Sequence, residues 1–375
     1  MRVNNSSEGD LGLVLLQGSN GFGKLVDEDL VFKRRGEKKT YVIKINDVRF
    51  ANGEGKVVLQ ETVRGKDIFI LADVGNHSCT YTMFGFENRM GPDEHFQSIK
   101  RTISAIGGNA RRINVIMPLL YAGRQDKRKG RESLDCAVAL QELKALGVDN
   151  IITVDAHEPR VENAIPLIGF ENLYPTFDML SSIIMNKDTK IEGDAANLKI
   201  ISPDTGAMDR ALYYAQAIGV DIGVFYKRRD YTKVVNGKNP IIEHAYMGSD
   251  LGNCNLLIVD DMLSSGDSIL DIANQAKNRN AGDVYVAVTF AFFTEGVEKF
   301  DKAYEDGLIK RIYSSNLSYV PNEIRERPWF VEVDMSDMIS EVIDRLNYDI
   351  SLTEMFNVTG RLKELEQFIR MTNEQ

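Results

Sequence analysis

Cysteine is scarce in this chain. Only Cys79, Cys136 and Cys254 occur among 375 residues, far apart and with no CxxC pair. That fits reduced thiols in a cytoplasm better than a disulfide framework. Long apolar runs are also missing: none approaches the roughly 18 residues of a membrane-spanning helix, so no such helix is predicted. The opening stretch, MRVNNSSEGD, lacks the apolar core of a secretory signal, and none is expected. Positive charge is not in excess. The formal net charge of −10 argues against broad nucleic-acid binding. An acidic chain can still hold an anionic ligand where basic residues gather. No fixed-period repeat and no low-complexity segment occurs. No GxxxxGK[ST] is present, and Gly18, Gly21 and Gly23 have the wrong spacing for a dinucleotide fingerprint. They read as a first strand-to-helix turn. His77, His95 and His244 share no metal-ligand spacing.

What remains is ordinary globular material, with 43% apolar and 27% charged residues and enough length for two domains. Short apolar strands alternate with amphipathic helices. LGLVLLQ from Leu11, IFILAD from Ile68, INVIMPLL from Ile113 and NIITVDAH from Asn150 read as strands. Helical spacing follows Gly18, then runs from Asp93 and along ESLDCAVALQELKALG to Gly147. The rhythm recurs in LKIISPD, TGAMDRALYYAQAIG and VDIGVFYK, then in LLIVDD, a helix from Asp267, and VYVAVTF. Such alternation predicts α/β domains with parallel sheets, whose ligands gather at the carboxyl ends of the strands. Residues 228–252 break the rhythm and read as a long polar loop. The tail from Asn357 reads as a short charged amphipathic helix for packing or assembly.

One stretch is chemically unusual. LLIVDDMLSSGDSIL runs from a core strand into Asp260 and Asp261, then into Ser264, Ser265, Gly266, Asp267 and Ser268. The two acids are expected to end the strand. Vicinal carboxylates can accept hydrogen bonds from sugar hydroxyls, directly or through a divalent cation. A small hydroxylated loop before a helix N-terminus suits a phosphate, through backbone N–H groups and the helix dipole. Taken alone, adjacent aspartates are about as often a cap or a solvated edge. The combination is more specific, and it resembles the ribose-5-phosphate or phosphoribosyl-pyrophosphate motif of type I phosphoribosyltransferase folds. In that family the acids hold the ribose hydroxyls and the loop holds the 5-phosphate. Asp267 stands where Gly is common, and serines replace threonines.

Further motifs resemble ribose-phosphate diphosphokinases in particular. RFANGE is similar to an adenine-binding flap contributed by a neighbouring subunit, which implies Phe50 on the base, Glu54 beside its exocyclic amine, and Asn52 where Asp is usual. Without that resemblance Asn52-Gly53 reads as a strand turn with Phe50 in the core. YAGRQDKRKG resembles the Arg-Gln-Asp-Lys stretch, with Arg124, Gln125 and Asp126 implied at the nucleotide and with Gly123 inserted. A planar Arg can clamp phosphate oxygens; on its own the stretch reads as a solvated basic loop. ITVDAHEP and ISPDTGAMDR resemble the segments whose His157 and Asp204 contact the Mg²⁺ of Mg-ATP. FYKRRDY matches a Lys-x-Arg at the root of a catalytic loop, which implies Lys227 and Arg229 as the cations on the transferring phosphates. The bland alternative is an exposed basic edge.

The motifs keep the family's order from about Leu11 to about Phe356. Besides Asn52, Gly123 and Asp267, the chain departs in a longer segment after Gly75, a long catalytic loop and a C-terminal extension. The resemblance implies two similar phosphoribosyltransferase-like domains, each a mostly parallel sheet flanked by helices, facing each other across the active site. Their expected bounds are 11–163 and 164–330, with a helix in 331–357 as a candidate to pack back on the first and a helical tail over 358–375. It implies an enzyme moving the diphosphoryl group of Mg-ATP to the 1-hydroxyl of ribose 5-phosphate, giving phosphoribosyl pyrophosphate and AMP. It also implies a cytoplasmic homo-oligomer, hexameric or dimer-based, with the adenine site shared between subunits. The competing readings are a synthetase-like regulatory subunit with weak catalysis, or a phosphoribosyltransferase.

Overall fold

The computed structural model describes residues 9–186, 197–229 and 241–373, with the side chains of 227–244, 366 and 368–373 outside the description. The chain divides into two compact units. The first comprises Met1–Pro175, Asn316–Tyr319 and Asp334–Phe356, and the second Thr176–Ser315, Val320–Val333 and Asn357–Gln375.

In the first unit the order is β1 (Asp10–Leu15), α1 (Asn20–Lys33), β2 (Ile45–Arg49), β3 (Gly55–Leu59), β4 (Lys66–Leu71), β5 (Thr80–Met83), β6 (Phe86–Arg89), α2 (Pro92–Ile106), β7 (Arg112–Ile116), α3 (Asp135–Ala145), β8 (Asn150–Val154), β9 (Gly169–Leu173) and finally α9 (Ser336–Asn347). Five strands form a parallel sheet in the order β1-β4-β7-β8-β9. Helices cover it on both faces, so central strands such as β4, KDIFIL, are apolar on consecutive residues rather than alternating. Helix α2 buries Phe96, Ile99, Ile103 and Ile106, spaced three and four apart on one face. Pro92 opens it, and Gly107 closes it at φ 59°, a left-handed position that suits glycine. Burial of each such side chain contributes about 1.5–3 kcal/mol. His95 is a core histidine here: it is buried, and its Nε2 pairs with the Asn76 carbonyl at 2.7 Å.

Helix α9 returns to this unit and packs against α1. Its anchor is polar. The buried Arg34 donates through Nε to Asp344 at 2.7 Å and through Nη2 to Asn347 at 2.7 Å. Asn347 in turn donates to the fully buried Asp67 at 2.9 Å, which also accepts from Arg111 at 2.9 Å and Arg112 at 2.6 Å. Buried charges are tolerated when every one is paired in this way.

Asp73, just past β4, is buried and accepts from Ser318 Oγ at 2.9 Å, Tyr319 N at 3.0 Å and Gly75 N at 3.0 Å. Burial pushes its carboxyl up to about 7, and the three donors hold it back from rising further. The folded state therefore keeps a proton that the unfolded chain releases near pH 4. Its contribution to stability is present at low pH and is lost as pH rises through about 7. Asp73→Asn is expected to flatten that decline, by on the order of 3 kcal/mol between pH 4 and 8. Urea midpoints across this range check it. An identical pH slope in the variant would contradict the assignment.

The second unit contains α4 (Thr176–Met185), β10 (Leu198–Ser202), α5 (Met208–Ile218), β11 (Asp221–Arg229), β12 (Ile241–Met247), β13 (Asn255–Leu263), α6 (Asp267–Lys277), β14 (Val284–Ala291), α7 (Glu298–Glu305), β15 (Arg311–Ser315), α8 (Asn322–Arg325), β16 (Phe330–Val333) and α10 (Val358–Asn373). Its sheet has the order β12-β11-β10-β13-β14-β15-β16 and is parallel except for the edge strand β12. Strand β14 is buried along all eight residues. Helix α10 packs on α4 and α5, burying Val358 and Leu362 and placing the Arg361 guanidinium 3.6 Å from the Phe177 ring centre.

Two expectations about local structure are corrected. The polar stretch 228–252 is not one long loop: its described parts include the end of β11 and the whole of β12, paired antiparallel. Pairing to a neighbouring strand overrides weak periodicity. Residues 230–240 of that stretch lie outside the described ones. Nor does the strand carrying Asp260 and Asp261 end at them. It continues to Leu263, because Met262 and Leu263 pair with Phe290 and Ala291 of β14.

Candidate active site

The first unit's candidate residues lie on a hairpin and at strand ends. Strands β2 and β3 form the hairpin, whose turn places Phe50, Asn52 and Glu54 at the tip. Gly53 N donates to Phe50 O at 2.8 Å, and Gly53 takes φ 91°, where glycine alone is unstrained. Phe50 is not a core residue: it is 44% exposed, with Lys56 Nζ 5.6 Å from its ring centre. Asn52 Nδ2 donates to Glu54 Oε2 at 3.0 Å, and Asn52 Oδ1 accepts from Glu54 N at 3.2 Å. An amide and a carboxylate are thus held side by side next to an exposed phenyl ring.

Beyond the end of β7 the chain turns at Ala122, φ 54°, and Gly123 N donates to Leu120 O at 3.1 Å. The inserted glycine is accommodated within this turn. Arg124 and Gln125 follow and are exposed, with Gln125 N bonded to Ala122 O at 2.8 Å. The Asp126 side chain is buried, and its Oδ2 lies 3.1 Å from Lys127 Nζ. At the end of β8, Asp155 is buried with φ 51°, and His157 stands two residues on, exposed.

In the second unit, Asp204 follows β10 and is exposed. Its Oδ1 accepts from Gly206 N at 2.8 Å and Ala207 N at 3.2 Å, which fixes the carboxylate ahead of α5. Lys227 and Arg229 lie on β11 by their backbone, and their side chains are outside the described ones. On β13, Asp261 is buried, while Asp260 keeps a quarter of its side chain exposed. Burial, and next the Asp261 carboxylate, push Asp260 well above the ordinary carboxylate range. The guanidinium of Arg210, 3.6 Å from Asp260 Oδ1, opposes that rise.

Helix α6 begins at Asp267, where the sequence pattern placed it. Ser264, Ser265 and Gly266 form the loop between β13 and α6, while Asp267 and Ser268 sit in the first turn of the helix. Gly266 is the N-cap, at φ 90°, and a Cβ there would lie 2.1 Å from Phe300 Cζ. Only glycine lets the chain enter α6 at this angle over a buried ring, and the entry leaves the helix's first N–H groups at the loop. Ser264 O accepts from Thr294 N at 3.1 Å, and Ser265 Oγ donates to Asp267 at 3.2 Å. Lys299 pairs with Asp267, and lowers its carboxyl below the usual range.

Family models match stretches in both units. The N-terminal domain of ribose phosphate pyrophosphokinase matches residues 13–147, and the phosphoribosyl transferase domain matches residues 178–320. The chain belongs to the ribose-phosphate pyrophosphokinase family of enzymes. A ribose-phosphate pyrophosphokinase of Vibrio cholerae is 27% identical over 315 residues, covering 82% of this chain and 90% of that protein. One from Mycoplasma pneumoniae is 26% identical over 298 residues, covering 78% and 82%. The crystal structure of phosphoribosylpyrophosphate synthetase from Mycobacterium smegmatis superposes with a TM-score of 0.72 at 21% identity, over 90% of this chain and 98% of that one. That likeness establishes the fold, an α/β architecture of two phosphoribosyltransferase-like domains. Among the described residues, no helix is long and apolar enough to cross a membrane.

Sequence reading missed Arg210. It lies 50 positions from Asp260, on a helix where an arginine reads as solvated surface, and only the fold brings the two together. Lys299 was missed for the same reason.

Proposed function

We propose that this family member transfers the diphosphoryl group of Mg-ATP to the 1-hydroxyl of ribose 5-phosphate, giving phosphoribosyl pyrophosphate and AMP. The observation that carries the reading is the Asp260-Asp261 pair on β13 running into the Gly266-capped start of α6. The acids accept the ribose 2- and 3-hydroxyls. The N–H groups at the start of α6, with the hydroxyls of Ser264, Ser265 and Ser268, receive the 5-phosphate. On the first unit, Phe50 stacks on adenine, Asn52 and Glu54 meet its polar edge, and Arg124 and Gln125 meet the nucleotide's polar groups, with Asp126 behind them.

The chemistry then needs little covalent help. The sugar's 1-oxygen attacks the β-phosphorus, the bond from that phosphorus to the α–β bridging oxygen breaks, and AMP leaves. The hydroxyl proton is released to solvent. Lys227, Arg229 and Arg124 supply positive charge to the phosphoryl oxygens, where it accumulates in the transition state. The residues present suit magnesium arriving with the nucleotide. Among the described residues no three His, Cys, Asp or Glu side chains cluster as a metal cage, whereas Asp204 offers a single pre-oriented carboxylate at a strand end, with His157 at the end of β8. A hard cation bound mainly by phosphates and water requires no more. When bound, it neutralises phosphate charge. The protein acts as a homo-oligomer in which the flap bearing Phe50 serves the nucleotide of a neighbouring copy.

Asp260→Ala and Asp261→Ala are each expected to weaken ribose 5-phosphate about 5- to 150-fold, the equivalent of about 1–3 kcal/mol for a lost buried contact, and to leave ATP within about twofold. Calorimetric titration of both variants with both ligands checks this. Equal loss for the two ligands, or an unchanged sugar affinity, would count against the reading.

A further inference from the structure

The segment after Gly75 folds into a second hairpin, β5–β6, whose tip reaches the tip of the first. Phe84 N donates to Ala51 O at 2.8 Å, one residue from Phe50. Met83 Sδ occupies the space beside Gly53, 2.5 Å from where a Cβ would stand. Arg49 stacks over the Tyr81 ring, 4.7 Å from its centre. Three contacts therefore fasten the β5–β6 hairpin to the turn that carries Phe50, Asn52 and Glu54.

The turn of this hairpin is chemically odd. Met83 pairs with Phe86, leaving a two-residue loop of Phe84 at φ 49° and Gly85 at φ 80°. Both residues are left-handed, as in a type I′ turn, whose first position favours asparagine, aspartate or glycine. A phenylalanine there is a steric outlier. The residue is also 72% exposed, so core packing offers little return for the strain. Strained, exposed positions that persist are a mark of function.

Resting on the proposed role of the flap, we propose that Phe84 is a second base-contacting residue: it extends the aromatic surface of Phe50 and takes part of the adenine face of ATP. A purine matches what the two tips present. Phenyl rings offer stacking surface, and the paired Asn52 amide and Glu54 carboxylate offer a donor and acceptors to the ring edge. The assignment gives the hairpin insertion a role in nucleotide recognition.

The test is a substitution with opposed effects. Phe84→Asn suits the left-handed backbone, so thermal stability should rise. Affinity for ATP, by calorimetric titration, should fall about 5- to 100-fold, the range for a lost base–aromatic stack. Affinity for ribose 5-phosphate should stay within about twofold, and Phe84→Tyr should retain ATP affinity. Phe50→Ala runs in parallel. If Phe50→Ala weakens ATP and Phe84→Asn does not, the role of Phe84 is overturned while the flap stands. If neither weakens ATP, the flap reading fails and this inference fails with it. A change in oligomer size by light scattering, with ATP affinity unchanged, would assign Phe84 to an interface between copies and overturn the proposal.

Discussion

Lys227→Ala is expected to lower kcat about 10³-fold or more, as loss of a cation aimed at a phosphoryl transition state does in other phosphoryl-transfer enzymes. The dissociation constant for ATP should change far less, because the charge that Lys227 is proposed to meet develops mainly in the transition state. Melting temperature should hold within a few degrees, as expected where a cation serves the reaction rather than the core. The three measurements together separate catalysis from binding and folding. A variant with near-normal kcat, or one that fails to fold, would remove Lys227 from the mechanism. The same variant tests the shared adenine site. Mixed with a Phe50→Ala, Glu54→Ala chain in one oligomer, it should regain part of the activity that each lacks alone. No recovery in verified mixed oligomers would contradict a flap that serves its neighbour.

Gly266→Ala is expected to be nearly as severe for a different reason. The backbone at φ 90° is hostile to any side chain, and the new methyl would press on Phe300, 2.1 Å from its Cζ. Phe300 has no easy retreat: it is fully buried, edge-on to Phe293 at 5.1 Å and tilted against Trp329 at 5.7 Å between ring centres. Left-handed strain contributes about 1–2 kcal/mol and overpacking about 1–3 kcal/mol. Relief comes by moving the start of α6, the element proposed to present N–H groups to the 5-phosphate. Stability should therefore fall by roughly 3 kcal/mol, and ribose 5-phosphate affinity by about 10²-fold or more. Denaturant unfolding and sugar titration check it. Retention of both would show that the loop does not need its left-handed entry.

Much of this was legible before the structure, and the reasons are physical. Apolar runs such as IFIL and LLIV are buried in parallel sheets, and they punctuate helices whose apolar faces repeat every three to four residues. The acid pair and the small loop behind it stood out because their chemistry does not belong in a core. What escaped notice depended on contacts distant in sequence. Strand β13 outlasts its acids because β14 lies alongside. Strand β12, IIEHAYM, follows a polar stretch without clear alternation, and it becomes a strand by pairing with β11 at the sheet edge. Arg210 looks like surface until α5 brings it to Asp260. Hairpin β5–β6, TYTMFGFENR, carries no core face, and its use becomes visible only where Phe84 N meets Ala51 O. Phe50 illustrates the reverse: its neighbours allowed a core residue, and the hairpin holds it out in solvent.

The most direct test of the central claim is the product balance. Purified protein with ATP, Mg²⁺ and ribose 5-phosphate, followed by phosphorus NMR, should form AMP and phosphoribosyl pyrophosphate in equal amounts, and only when the sugar phosphate is present. Release of ADP and phosphate without regard to the sugar, or no ATP turnover alongside conversion of phosphoribosyl pyrophosphate and a free base into a nucleotide, would contradict it.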